Sequence, residues 1–184
     1  MPFNELQFDR CALWLAMRLP RSLTQYDLIK FHVMTDIYHV LEYGRPVIGG
    51  AVVKWKFGPV VPRAYHRLMR EALRFQHGRE EGDLHVDMGP GNIYRFSARS
   101  GAVVDEDEFS QSEINAMERA MKIVRMGWSE SQRFFHVPAK SFVGKVWAST
   151  DDGCPIDWNR IIDAYDQEHQ TDHSHIKTLI SLGV

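Results

Sequence analysis

The fold is decided by residues 24–44, which read TQYDLIKFHVMTDIYHVLEYG. Thr24 can cap the N-terminus of a helix, and the carboxylate of Asp27 suits the positive end of the helix dipole. Apolar side chains then recur at helical spacing as far as Gly44, a residue type that commonly ends a helix. The pattern predicts one long helix between Thr24 and Gly44.

The segments on either side of this helix predict further helices. They are recognised by apolar side chains at helical spacing, by capping patterns and by prolines, such as Pro20, at their ends. The predicted helices cover residues 8–19, 62–75, 110–127 and 129–138, and a last one begins at residue 157.

A smaller part of the sequence predicts β structure. Residues 84–96 alternate around a Gly-Pro-Gly-Asn turn and predict a hairpin. Residues 51–57 predict a short strand that is broken by Gly58-Pro59, and residues 78–83 predict a polar loop. The predicted fold class is therefore mainly α (α+β), a compact helical domain with a small antiparallel β-hairpin or sheet.

Length and composition predict a single domain. The chain has 184 residues, of which 44% are hydrophobic and 25% are charged, so it can bury one core without disulfide bonds. We expect the domain to span residues 1–184, with a core over about 8–165 and a polar C-terminal tail helix over 166–184. Cys11 and Cys154 are predicted to be unpaired thiols in a reducing compartment.

The sequence shows no membrane or export signal. No segment reaches the about 18 consecutive apolar residues that a membrane span needs, and the first residues lack the basic and apolar regions of a signal peptide. We therefore expect a cytoplasmic protein that has no membrane partner.

Charge is unevenly distributed along the chain. The net charge is −2, yet residues 45–79 contain eight Lys and Arg and a single acid, Glu71. This segment therefore carries +7 and the rest of the chain −9. Such a surface dipole can steer an acidic partner to one face of the protein.

The motifs of common enzymes are absent from the sequence. It has no Gly-rich phosphate loop, no dinucleotide-binding Gly pattern, no Gly-x-Ser-x-Gly elbow and no His-Glu-x-x-His. We therefore expect a protein that is not an enzyme and uses no cofactor.

Two pairs of polar residues, His169 with His173 and His32 with Asp36, have the spacing of one helical turn. His169 and His173 are four residues apart, which would place both imidazoles on one face of a helix, but a solvated tail without a metal is the favoured interpretation. His32 and Asp36 have the same spacing on the long helix, and we expect a polar contact inside the core rather than a reactive pair.

Two groups of motifs resemble the Panacea-domain antitoxin family, which includes SocA-like proteolytic adaptors. The first group consists of residues 30–36, the turn at 44–50 and Gly-Pro-Val at 58–60; the second consists of residues 134–136, a tryptophan and residues 153–157. Together they span residues 24 to about 165. The motif residues, interpreted as structural, are Lys30, Asp36, Gly44, Pro46, Gly49, Gly58, Pro59, His136 and Trp147.

The resemblance implies the antitoxin of a type II toxin–antitoxin system, which neutralises a cognate toxin encoded in the same operon by direct binding. Toxins paired with this family belong to several unrelated folds. The charge asymmetry makes the basic segment our expected contact region, because arginine and aromatic residues are enriched in interface hot spots. The candidate toxin-binding residues are Arg45, Lys54, Trp55, Lys56, Arg63, Tyr65 and Arg67.

Two other functions remain open. A SocA-like adaptor would deliver the toxin to an ATP-dependent protease such as ClpXP, using the same toxin contact. A DNA-binding regulator would need a basic recognition helix, but the helix after Pro20 carries only Lys30 between residues 24 and 42. The acidic net charge of the chain also disfavours phosphate binding, so a nucleic-acid partner is not expected.

Overall fold

The computed structural model describes residues 1–78 and 82–183 and confirms the mainly α fold with a small antiparallel β content. Of the polar loop predicted at residues 78–83, residues 79–81 lie outside the described residues, and with them Arg79 of the basic segment. The helices that the structure describes are α1 (Glu5–Arg18), α2 (Gln25–Tyr43), α3 (Pro62–Gln76), α4 (Gln111–Arg125), α5 (Trp128–His136), α6 (Phe142–Ala148), α7 (Trp158–His169) and α8 (Ser174–Leu182). The strands are β1 (Leu23–Thr24), β2 (Val53–Trp55), β3 (Gly58–Val60), β4 (Leu84–Gly89) and β5 (Ile93–Ala98).

Helix α2 is the central element of the fold. Thr24 and Asp27 form a reciprocal capping box at its N-terminus, and Gly44 ends it in the left-handed conformation at φ +70°. The helix packs chiefly on α4 and also touches α1, α3 and α8, so apolar side chains on all its faces are buried. Five polar side chains of α2 are buried with them, namely Lys30, His32, Thr35, Asp36 and His39.

The predicted hairpin at 84–96 forms β4 and β5, which pair antiparallel, and β1 joins the other edge of β5. The short strand predicted within residues 51–57 is present as β2, but the interpretation of Gly58-Pro59 as only a break is wrong. Strand β2 ends at Trp55, and Gly58 and Pro59 instead begin the returning strand β3, with Trp55 opposite Gly58. Proline is tolerated in β3 because the strand lies at the edge of a two-stranded sheet.

The C-terminal segment differs from the single tail helix expected over residues 166–184. Helix α7 ends at His169, Gln170 is left-handed at φ +57°, and α8 follows from Ser174. The carboxylate of Asp166 accepts hydrogen bonds from the hydroxyl of Thr171 and the backbone N–H of His173, both at 2.9 Å, and thereby closes the turn. Helix α8 then returns to α2 and buries Ile176.

This break also separates His169 from His173. His169 is the last residue of α7 and His173 precedes α8, so the expectation that they share one helical face is wrong. His173 bonds to Asp166 instead. Among the described residues no group of three or more His, Cys, Asp or Glu is placed to hold a metal ion. In the same part of the chain, no helix has the length and apolar character required to cross a bilayer.

Candidate partner-binding site

The buried carboxylate of Asp36 fixes the turn that follows α2. Its Oδ1 accepts the backbone N–H of Ile48 at 2.7 Å, and its Oδ2 accepts that of Gly49 at 2.8 Å. Nε2 of His32 lies 3.1 Å from Asp36 Oδ2 and 3.1 Å from the carbonyl oxygen of Gly49, so the predicted polar pair exists and binds the same turn. Satisfying the buried carboxylate in this way avoids the cost of an unpaired charge in the core.

The turn at residues 44–50 is held at its two ends as well. A ring nitrogen of His39, Nδ1, lies 2.7 Å from the carbonyl oxygen of Arg45. Gly49 has φ +83°, and a Cβ there would lie 2.3 Å from the backbone oxygen of Pro2. Pro46 is half-buried in the same turn. The glycine is therefore required both by its backbone conformation and by the close approach of the N-terminal segment.

Lys30 of α2 holds the β2–β3 hairpin from the side of the core. Its ammonium is fully buried and donates a 2.7 Å hydrogen bond to the carbonyl oxygen of Pro59. It also lies 5.1 Å from the ring of Tyr26 and 5.0 Å from that of Phe135. Burial holds the pKa of Lys30 well below its ordinary value. A Cβ at Gly58, where φ is +94°, would lie 2.7 Å from Nζ of Lys30.

His136 and Trp147 reach the same hairpin from α5 and α6. Their rings lie 4.6 Å apart, and the indole N–H of Trp147 donates a 3.0 Å hydrogen bond to the carbonyl oxygen of Trp55. Nε2 of His136 would meet a Cβ at Gly58 at 3.2 Å. Burial and the nearby charge of Lys30 lower the pKa of His136. Thus the two motif groups of the sequence, far apart along the chain, meet at this hairpin and hold it.

Three of the candidate contact cations are engaged within the protein itself. Arg67 bonds to Asp9 at 2.8 Å and also pairs with Glu71. Lys54 donates to the carbonyl oxygen of Thr150 at 2.7 Å and lies 3.2 Å from Asp152.

The third of these cations is Arg45, whose guanidinium lies 3.8 Å from the carboxylate of Glu113. The structure thus assigns Arg67 and Lys54 to contacts between elements of the fold, and it leaves Arg45 exposed beside an acid.

The remaining candidates have no ionic partner that occupies them within the described residues. Lys56 and Arg63 are exposed, and neither pairs with a carboxylate in the part of the chain that the structure describes. Trp55 and Tyr65 pack edge to face, with ring centroids 5.2 Å apart. Lys56 occupies the turn of the hairpin and Arg63 the first turn of α3. Two cations and two aromatic rings of the predicted set therefore remain as candidates for contact with a partner.

Trp55 and Tyr65 line a depression that we call the aromatic cleft, a cavity of about 170 Å³. Its aromatic walls are Tyr26, Trp55, Phe57, Tyr65 and Trp128. Phe57 and Trp128 are each 54% exposed, and the ring of Trp128 lies 4.4 Å from that of Tyr26. Lys30 lies at the floor, beneath the hairpin.

Sequence reasoning missed Tyr26, Phe57 and Trp128 as members of this site. Trp128 is distant from the basic segment along the chain, and only the packing of α5 against β3 brings it to the cleft. One local signal was present, because Trp128 is an aromatic residue at the start of a short helix and is followed by Ser-Glu-Ser. A bulky aromatic residue in so polar a segment suggests a surface role.

Comparison with known proteins identifies the family of this chain. A protein-family model described as antitoxin SocA-like, Panacea domain, matches residues 28–138. This range runs from α2 to the end of α5 and includes Lys30, Asp36 and His136. No curated protein and no solved structure matches the chain. The family match covers more than half of the sequence, and the chain therefore belongs to the SocA-like antitoxin family that is defined by the Panacea domain.

Proposed function

We propose that this protein is the antitoxin of a type II toxin–antitoxin system and neutralises its cognate toxin by binding it directly. Membership of the family supports an antitoxin role. The observation that carries direct binding is the aromatic cleft with Lys56 at its rim. Trp and Tyr side chains gathered around one pocket have the composition of an interface hot spot.

The rigidity of this surface favours tight binding. The hairpin is fastened by Lys30 at Pro59 and by Trp147 at Trp55, both through hydrogen bonds to its backbone. A surface that is already ordered loses little conformational entropy when a partner docks, so more of the contact energy is retained as affinity. Lys56 and Arg63 add a local positive charge that accelerates association with an acidic partner.

The experiment is co-expression with the protein encoded in the neighbouring open reading frame, scored by growth and by co-purification. We expect the wild-type chain to restore growth and to retain the toxin on affinity resin. The double variant Lys56→Glu/Arg63→Glu should lose both effects while its circular dichroism stays unchanged. Lys122→Glu/Lys140→Glu is the matched control, since both lysines are exposed and lie outside the cleft.

Toxin abundance in the same cells separates binding from proteolytic delivery. Under direct neutralisation the toxin persists at an undiminished level in rescued cells. A fall of toxin abundance that depends on an ATP-dependent protease would replace our proposal with the adaptor function. Rescue by the Lys56→Glu/Arg63→Glu variant equal to that of the wild type would remove this surface from the interface.

A further inference from the structure

The size of the aromatic cleft restricts what it can bind. Its volume of about 170 Å³ is smaller than the roughly 300–1,000 Å³ of pockets that bind small molecules and cofactors. Hot spots at protein interfaces are commonly single side chains that fill a pocket of the partner. The cleft therefore fits one side chain of a partner protein better than a metabolite.

The walls of the cleft indicate the chemistry of that side chain. Phe57 lies in the hairpin turn and Trp128 at the start of α5, and both side chains are about half exposed. The hydroxyl of Tyr26 lies 3.3 Å from that of Ser131, so its polar atom is already satisfied and its ring faces the cavity. Such a surface gains most by burying an apolar group, because aromatic rings contribute large buried areas.

The charges around the cleft indicate which residues of the partner would lie next to the bound apolar side chain. No Asp or Glu is among the residues that line it, although the chain as a whole has a net charge of −2. Lys30 lies at the floor, and Nζ of Lys56 lies 5.4 Å from the ring centroid of Phe57 at the rim. A cleft whose rim carries the cation Lys56 and whose described lining contains no acid favours negative charge beside it.

From these observations we infer that the aromatic cleft receives one large apolar side chain from an acidic segment of the toxin. The apolar side chain packs against Trp128 and Phe57, and neighbouring carboxylates face Lys56. This inference rests on the proposed function and deepens it, since it specifies which part of the toxin is bound. It assigns the anchor position to residues that lie partly outside the basic segment.

The first test measures binding of the full chain to the purified neighbouring toxin by calorimetry. Trp128→Ala and Phe57→Ala should each weaken binding at least about tenfold, which corresponds to about 1.4 kcal/mol. Ile93→Ala is the matched control, because Ile93 is 49% exposed on β5 and is not part of the cleft. Unfolding by urea verifies that all three variants fold.

The outcomes separate the two proposals. If the wild-type chain does not bind the toxin, direct neutralisation fails and this inference fails with it. If the wild type binds and both Trp128→Ala and Phe57→Ala bind equally well, the cleft inference alone is overturned. Weaker binding by the two cleft variants and unchanged binding by Ile93→Ala support it.

A second test identifies the occupant. A benzophenone amino acid is introduced in place of Phe57, the complex is irradiated, and the crosslinked peptide is identified by mass spectrometry. We expect a toxin peptide with a large apolar residue flanked by Asp or Glu, and an association rate that falls as salt rises. A neutral or basic toxin peptide, or a crosslink to a second copy of this chain, would overturn the inference.

Discussion

The ammonium of Lys30 donates a 2.7 Å hydrogen bond to the carbonyl oxygen of Pro59, and this bond joins the central helix to the β2–β3 hairpin. Lys30 is fully buried and has no carboxylate partner in the described part of the chain. Its side chain therefore acts on the fold through length and hydrogen bonding more than through an ion pair.

Replacing Lys30 with Ala should destabilise the protein by about 2–5 kcal/mol. The change leaves a cavity under the hairpin and leaves the carbonyl oxygen of Pro59 without its donor. Lys30→Met is the matched control, because it restores most of the volume without a charge and should lose less stability than Lys30→Ala. If urea unfolding gives equal losses of stability for the two variants, the lost packing volume is not the cause of the destabilisation.

The free energy of unfolding should rise with pH on account of Lys30. Its folded pKa lies well below the ordinary value of 10.5, which the unfolded chain retains. Between the two values the unfolded state binds more protons, so alkaline pH favours the folded state, by at most about 1.4 kcal/mol per pH unit. Below the folded pKa both states hold the proton and the dependence on this group disappears.

The measurement is urea unfolding from pH 7 to about 9.5, with Lys30→Met as the reference. The stability difference between wild type and Lys30→Met should shift in favour of the wild type as pH increases. The upper limit avoids Tyr26, whose pKa burial raises to about 12 from 10.0 and whose titration therefore acts in the opposite direction at higher pH. A difference that is constant across the range would contradict the prediction.

Gly49→Ala should be far more damaging than a glycine substitution elsewhere. A Cβ at residue 49 would lie 2.3 Å from the backbone oxygen of Pro2, and its φ of +83° is unfavourable for alanine. Gly153→Ala is the control, since φ there is +76° but no atom lies within 4 Å of the added Cβ. The control should cost about 1–2 kcal/mol for the backbone alone, and Gly49→Ala clearly more. Melting temperatures within error of each other would be inconsistent with the close approach.

Arg67→Gln should reduce stability and leave toxin binding unchanged. Arg63→Gln should weaken toxin binding and leave stability unchanged. Arg67 links α3 to Asp9 on α1 and to the buried carboxylate of Glu71, so its loss should cost about 1–3 kcal/mol. Arg63 is exposed and has no carboxylate to lose in the described residues. Calorimetric binding and urea unfolding of both variants check the pair. Weakened binding by a fully folded Arg67→Gln would return Arg67 to the contact surface.

Local signals were sufficient to predict the central helix and the β4–β5 hairpin. Thr24 caps its own helix through Asp27, three residues away, and Gly44 ends it through a backbone conformation that few other residues adopt. Both effects act within a few residues, and so a single sequence contains them. The polar contact of His32 with Asp36 was predictable for the same reason, because helical geometry alone brings the two together.

The missed features depend on contacts between distant segments. The sequence shows the positive charge of Arg67, but not that Asp9 on another helix compensates it. It shows the aromatic ring of Trp128, but not that Tyr26 lies beside it. The break after His169 depends on Asp166, whose side chain can either face solvent on a continued helix or close a turn. Only packing decides between such alternatives.

The buried side chains of α2 reach the outer loops through backbone atoms. Asp36 bonds to two loop amides, and Lys30 bonds to a loop carbonyl oxygen. Every residue has a backbone carbonyl group, and every residue except proline has a backbone N–H, so the path of these loops does not depend on the side chains that point outward from them. The domain is thus built like an antibody framework that carries variable loops. Under the proposed function, substitution at outward positions such as Lys56 and Phe57 would change which toxin is bound while the scaffold remains intact.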